Sequence, residues 1–249
     1  MRAILTYHSI DASGSAISVH LETFRSHVRW LAGSGVRVVP VEELLRLPPE
    51  AEALALTFDD GFANFAQLAW PLLRDHGMPV TLFVATDFVG GSNSWSVSRR
   101  IAVPRLPLLD WEELGRLVEE GVALGSHSRT HPDMRGLSAA ALREEVEGSA
   151  SRLEAKTGRA PTGFAYPFGY YDAAAVEAVR GCYAWACTVE LRMLRTRENP
   201  WLTPRLDAYY LRSPGRLEAW GTRRLRRHLW LRAGARRVRN TLSVIAGRR

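Results

Sequence analysis

The feature that most constrains this chain is a repeated exchange of short apolar runs with stretches of helical spacing. Apolar strands are expected at residues 3–7, 36–39, 54–58, 80–85, 122–126, 163–166 and 184–188. Between them, helices are expected at 21–31, 41–47, 65–76, 110–120, 138–157 and 172–180. In the first of these, Leu21, Phe24, Val28 and Leu31 fall on one face. Gly77 and Pro79 end the third, and Ser138 caps the fifth. Asp110 with Glu113 has the spacing of a capping box. Strand-helix alternation of this kind predicts an α/β fold with parallel strands and helices outside them, as a barrel or an open sheet. Residues 90–108 carry Gly, Ser, Pro and Arg without periodicity and are expected as a loop.

Composition narrows the class. The 249 residues are 46% apolar and 24% charged, which excludes a disordered or collagen-like chain. No run of 18 uncharged apolar residues occurs, so no transmembrane helix is expected. The opening residues do not make a secretory signal, and a cytoplasmic setting is the expectation. Cys182 and Cys187 supply neither a disulfide framework nor a zinc finger.

Charge is unevenly placed. Residues 212–249 hold twelve Arg and one Glu, a balance of +11, whereas residues 1–211 sum to −4. Within this tail Leu217, Trp220, Leu225, Leu229, Ala235, Val238, Leu242 and Ile245 recur near helical spacing. A basic amphipathic helix suits a peripheral contact with an anionic membrane. A helix packed on the body with a solvated Arg face accounts for the same pattern. Nucleic acid is the weaker reading, because no recognised binding module accompanies the charge.

Polar residues collect just after the expected strands, the end where parallel α/β folds place their chemistry. His8 follows the first strand, Asp59 and Asp60 the third, and His127 the fifth, with His131 four residues on. Adjacent carboxylates repel unless a cation or a proton lies between them, so one can ligate a metal while the other handles a proton. An Asp-Gly turn that caps backbone amides would use the same residues. Two histidines separated by three residues reach one ion if the chain between them makes a single turn, and imidazole suits zinc, cobalt, nickel or iron. With Asp60, they make an open three-ligand site of the catalytic kind.

Thr57-Phe58-Asp59-Asp60-Gly61, His127-Ser128-x-x-His131-Pro132 and Tyr166-Pro167-Phe168-Gly169 stand in the order and spacing of the polysaccharide deacetylases. The chain resembles that family, the NodB-homology domain or carbohydrate esterase family four, over roughly residues 1–210. Tyr7-His8-Ser9 is similar to the start of the poly-N-acetylglucosamine deacetylase branch. The resemblance implies a distorted (β/α)-barrel of about seven parallel strands over 1–211, with 212–249 as a basic helical extension. It implies a metal-dependent hydrolase that removes N-acetyl groups from a polysaccharide, oligosaccharide or lipid-linked amino sugar, using water activated by a divalent ion, zinc first.

Carried onto this chain, the resemblance makes Asp60, His127 and His131 the ligands and Asp59 the general base. A backbone amide near Phe168, in the run Tyr166, Pro167, Phe168, Gly169, would hold the oxyanion. Two departures matter. Ala165 stands where many members have an Arg before the third motif, and the late Leu-x-His motif is missing. His8 is therefore the candidate acid. Trp95 is a candidate face for a sugar ring, and Trp111 is expected in the core. Hydrolysis of another C–N bond, in a cyclic amide or ureide, is the alternative chemistry. An inactive carbohydrate- or lipid-binding barrel is the alternative class.

Overall fold

In the computed structural model, residues 1–95 and 103–246 are described, with side chains through 236. Ten strands and seven α-helices follow in order: β1 (Arg2–Tyr7), β2 (Ser9–Ile10), β3 (Ser18–Val19), α1 (Leu21–Gly33), β4 (Arg37–Val38), α2 (Val41–Arg46) and β5 (Ala53–Phe58). Next come α3 (Trp70–Asp75), β6 (Val80–Val84), α4 (Trp111–Glu119), β7 (Ala123–Ser126), α5 (Ala139–Thr157) and β8 (Gly163–Ala165). Then follow α6 (Ala173–Cys182), β9 (Trp185–Cys187), β10 (Leu206–Asp207) and α7 (Arg223–Ala246).

The main sheet is parallel, in the order β10-β1-β5-β6-β7-β8-β9, with β4 beside β5. It is the distorted (β/α)-barrel of seven strands that the resemblance implies, one of the two arrangements the alternation allows. β1 and β5 are buried at every position and read as continuous apolar runs, as doubly covered parallel strands do. Inside the barrel Ile4, Ala55, Phe83, Ala165, Trp185 and Cys187 pack together, while α1, α3 and α4 bury Phe24, Val28, Leu73, Leu114 and Leu117 against the sheet's outer face.

The ends of the sheet meet through one short segment. Thr203 pairs with Cys187 beyond β9, and three residues later Leu206 pairs with Leu5 in β1. The chain over 203–207 thus spans the gap and carries Arg205 to the barrel interior. It has no alternation long enough to read as a strand, and it was not expected.

Local chemistry shaped two helices as expected and changed a third. Asp110 and Glu113 form both bonds of the capping box, and the Ser138 hydroxyl accepts from the Ala141 amide. The helix expected over 65–76 opens instead as a π-helical turn at Phe65–Ala69, in which the Trp70 amide bonds Phe65 O. Pro71 follows and has no N–H to give to residue 67, so widening the turn costs no interior bond. The expected loop over 90–108 is pinned where described, by bridges from Ser92 to Pro107 and from Phe62 to Leu108; residues 96–102 lie outside the described residues.

The tail packs back on the barrel. Leu217, Leu225 and Leu229 are buried in the main core cluster, with Trp220 and Ala233 against it. The apolar spacing of this helix therefore serves the core first. Val238, Leu242 and Ile245 have side chains outside the described residues.

Candidate active site

Four strand ends build the site. After β5, Asp59 keeps an ordinary backbone while Asp60 turns to φ 75° and Gly61 to φ 74°, which aims the two carboxylates apart. Among the described residues, Ser128 (φ 66°), His131 (φ 55°) and Phe168 (φ 56°) are the other non-glycine residues in the left-handed region, and all four lie here. Such conformations cost on the order of 1–3 kcal/mol each and persist only where their surroundings enforce them.

The enforcement over 127–131 is visible. The Ser126 hydroxyl accepts from the Ser128 amide, and the Ser128 hydroxyl accepts from the His131 amide. Glu145 of α5, itself buried, accepts from the Arg129 and Thr130 amides at 2.9 Å each and from the Thr130 hydroxyl at 2.6 Å. One carboxylate thus satisfies three donors of a single tight turn and brings both imidazoles to one side.

His127 Nε2 and His131 Nε2 are 3.2 Å apart, and each is 3.6 Å from Asp60 Oδ1. The His127 Nδ1–H donates to Ala165 O at 2.7 Å, so the Nε2 lone pair faces the cluster. Burial holds the His131 imidazole well below its usual range, in the neutral form that ligates metals. For Asp60, burial pushes the carboxyl upward, against the pull of His8 and His127, and the neighbouring Asp59 adds to the push. Two nitrogens and one oxygen within 4.8 Å, with a second carboxylate beside them, form a donor set that fits a divalent cation.

Asp59 is held differently. Arg205 donates from Nη1 to Oδ1 at 2.6 Å and from Nη2 to Oδ2 at 2.7 Å. The guanidinium is fixed in turn, donating from Nε to Thr188 O and from Nη1 to the Thr6 hydroxyl. Burial opposes the charge on Asp59, but Arg205, His8 and His127 outweigh it and keep the carboxyl well below the usual carboxylate range. His8 Nε2 stands 3.7 Å from Asp59 Oδ2, partly open to solvent. Arg205 is the group that fixes the Asp59 carboxylate, and the sequence reading missed it.

The third motif divides. Phe168 stands at the rim, exposed, 4.5 Å edge-on to the His131 ring. The Gly169 and Tyr170 amides close the turn onto Tyr166 O and Pro167 O, and the Phe168 amide takes part in neither bond. Gly169 is required, because a Cβ there would meet Val189 Cγ2 at 2.1 Å and its φ is +71°. Pro167 is buried under the turn. Tyr166, expected with this group, lies instead in the layer between sheet and helices, against Phe164 and Tyr171. Alternation in β8 turns Ala165 inward and the residues either side of it outward.

Trp95 is at the site but not as an open platform. It is buried, with its ring 4.5 Å from that of His131 and tilted 31°, and it backs the imidazole. The exposed aromatic faces are Phe168 and Tyr170. Trp111 packs on the core as expected. His228 bonds Tyr210 O and is no part of the centre.

Polar groups gathered at the carboxyl ends of parallel strands, with a strained turn presenting two of them, place the chain among barrel proteins that do chemistry at that rim. A family model described as "Polysaccharide deacetylase" matches residues 46–183, and the chain belongs to that family. It is 27% identical over 180 residues to the Bacillus subtilis protein YxkH, covering 70% of this chain and 59% of that one. A poly-beta-1,6-N-acetyl-D-glucosamine N-deacetylase of Staphylococcus epidermidis is 21% identical over 178 residues, covering 66% and 58%. The chain therefore spans less than two thirds of these relatives' length. The structure of IcaB from Ammonifex degensii superposes with a TM-score of 0.73 at 20% identity, covering 87% of this chain and 94% of that one, which shows the shared fold.

Proposed function

We propose that this chain is a metal-dependent hydrolase that removes N-acetyl groups from an amino sugar. The observation that carries the reading is the convergence of Asp60, His127 and His131, with Asp59 beside them locked by Arg205. Family membership supports the substrate class.

Asp60, His127 and His131 would hold the divalent ion, zinc by the donor set, with cobalt, nickel or iron as alternatives. The chemistry such an ion would supply is polarisation of the acyl oxygen and a water made acidic enough to ionise near neutral pH. The chain's own groups do the rest. Asp59, kept ionised and aimed by Arg205, takes the proton of the attacking water. So acidic a carboxylate is a weak base in bulk water, and its value here lies in position. The Phe168 amide faces the oxyanion as the carbonyl becomes tetrahedral. His8, near Asp59, gives a proton to the departing amine, which cannot leave as an anion at neutral pH. Phe168 and Tyr170 offer the exposed aromatic faces on which a sugar ring stacks.

A cytoplasmic setting belongs to the same proposal; the two unpaired thiols, Cys182 and Cys187, support it. The test is acetate release from N-acetylglucosamine oligomers and from lipid-linked N-acetylated sugars, with chelator and with metal restored. The expected result is release that chelation abolishes, zinc restores and Asp60→Asn eliminates. Release indifferent to chelator and to Asp60→Asn would overturn the proposal.

A further inference from the structure

Among the described residues, four large apolar side chains are exposed. Phe168 and Tyr170 are at the site. The other two, Trp230 and Leu231, are neighbours on α7, 74% and 51% exposed. Leu225 and Leu229 bury the inner face of this helix. At 100° per residue, Arg223, Arg227, Trp230 and Leu231 fall on the opposite face. Arg224 and Arg226 are exposed to either side of them. An open recess on this face is lined by Arg216, Arg223, Arg224, Arg227, His228 and Leu231, with no acidic side chain in its wall. Glu218 is the only acidic residue of 212–249, against twelve Arg.

The helix also has a direction. Trp220 Nε1 donates to Glu52 Oε2, next to the start of β5. Eight residues on, His228 Nε2 bonds Tyr210 O, in the 3-10 turn that follows β10. The chain thus climbs from the amino edge of the sheet toward the edge that carries the site, and brings Trp230 and Leu231 that way.

We infer that the outer face of α7 docks on a membrane surface containing anionic phospholipid. Guanidinium forks match phosphate oxygens, and tryptophan settles at headgroup depth. A duplex nucleic acid would engage the arginines but gives no reason for a bare Trp-Leu pair between them. No described helix is long and apolar enough to cross a membrane, so the contact is peripheral. The free stripe is not the one the sequence periodicity picked out, since Leu225 and Leu229 are spent on the core.

Co-sedimentation of the full chain tests this, with phosphatidylcholine vesicles and with vesicles of roughly one third phosphatidylglycerol. The chain should partition to the anionic vesicles only, and less as salt rises. Trp230→Ser with Leu231→Ser, and separately Arg223→Gln with Arg224→Gln and Arg227→Gln, should each weaken partition about tenfold or more. Both variants replace solvent-exposed side chains and are compared at matched melting temperature. No partition, equal partition to uncharged vesicles, or partition unmoved by either variant overturns the inference. Tighter binding to duplex DNA than to anionic vesicles also overturns it.

Discussion

Arg205 grips both oxygens of Asp59 from a segment 146 residues away in the chain, and both side chains are almost wholly shielded from water. A planar fork on a carboxylate fixes direction as well as charge. That grip separates the roles of two adjacent acids: Asp59 is committed to the guanidinium, and Asp60 is left facing the imidazoles.

Arg205→Gln should therefore strip a buried charge of its partner. The expected destabilisation is about 3–5 kcal/mol, read by denaturant unfolding. The Asp59 carboxyl is more acidic folded than unfolded, so its stabilising contribution is complete above about pH 4 and fades as pH falls toward the folded value. The variant should lose part of this acid-side slope. The acid limb of kcat/KM should move to higher pH, with Arg205→Lys between the two.

Replacing His8 with Gln should lower kcat for N-acetyl sugars by about 10²–10⁴-fold and leave KM little changed. An acetyl ester with a good leaving group needs no acid, so p-nitrophenyl acetate should be cleaved at close to the parent rate. Equal loss on both substrates would assign His8 to positioning Asp59, 3.7 Å away, rather than to proton donation.

Glu145 touches neither His127 nor His131 by hydrogen bond, yet it holds the turn that presents both imidazoles. Glu145→Ala should weaken zinc binding by roughly 10–100-fold in a competitive chelator titration. Glu145→Gln keeps one acceptor and should recover part of the loss. Unaltered affinity in both variants would show that the backbone of 128–131 holds its shape without help.

Gly169→Ala should destabilise by at least about 1–3 kcal/mol, because a new Cβ collides with Val189 in a left-handed backbone. Pairing it with Val189→Ala removes the two nearest contacts but leaves Val189 Cβ 2.9 Å away and the backbone term intact. The double variant should therefore melt between the single variant and the parent. Acetate release should fall in both if the turn carries the Phe168 amide.

Much of this centre could be read from residue order. The apolar run over 54–58 announced a buried strand, and a carboxylate pair at its end could point only to the rim. Two histidines four apart, beginning just after the fifth expected strand, completed the cluster. Arg205 was invisible because its importance comes from closure of the sheet by 203–207, a long-range event with no local period. Tyr166 was misplaced because the third motif was taken as a block, although a strand sends consecutive side chains to opposite faces. Pro71 was a legible breaker, but its effect, one widened turn rather than a stop, depended on the packing of Phe65 and Ala69.

The distance between Asp59 and its clamp has a consequence for how the protein is made. Synthesis delivers the acid 146 residues before the guanidinium. Before residue 205 is made, Asp59 has no guanidinium to pair with and nothing bridges β9 to β1. A polypeptide cut short of residue 205 lacks both the partner of Asp59 and the segment that bridges the sheet, and should be cleaved by protease faster than the full chain.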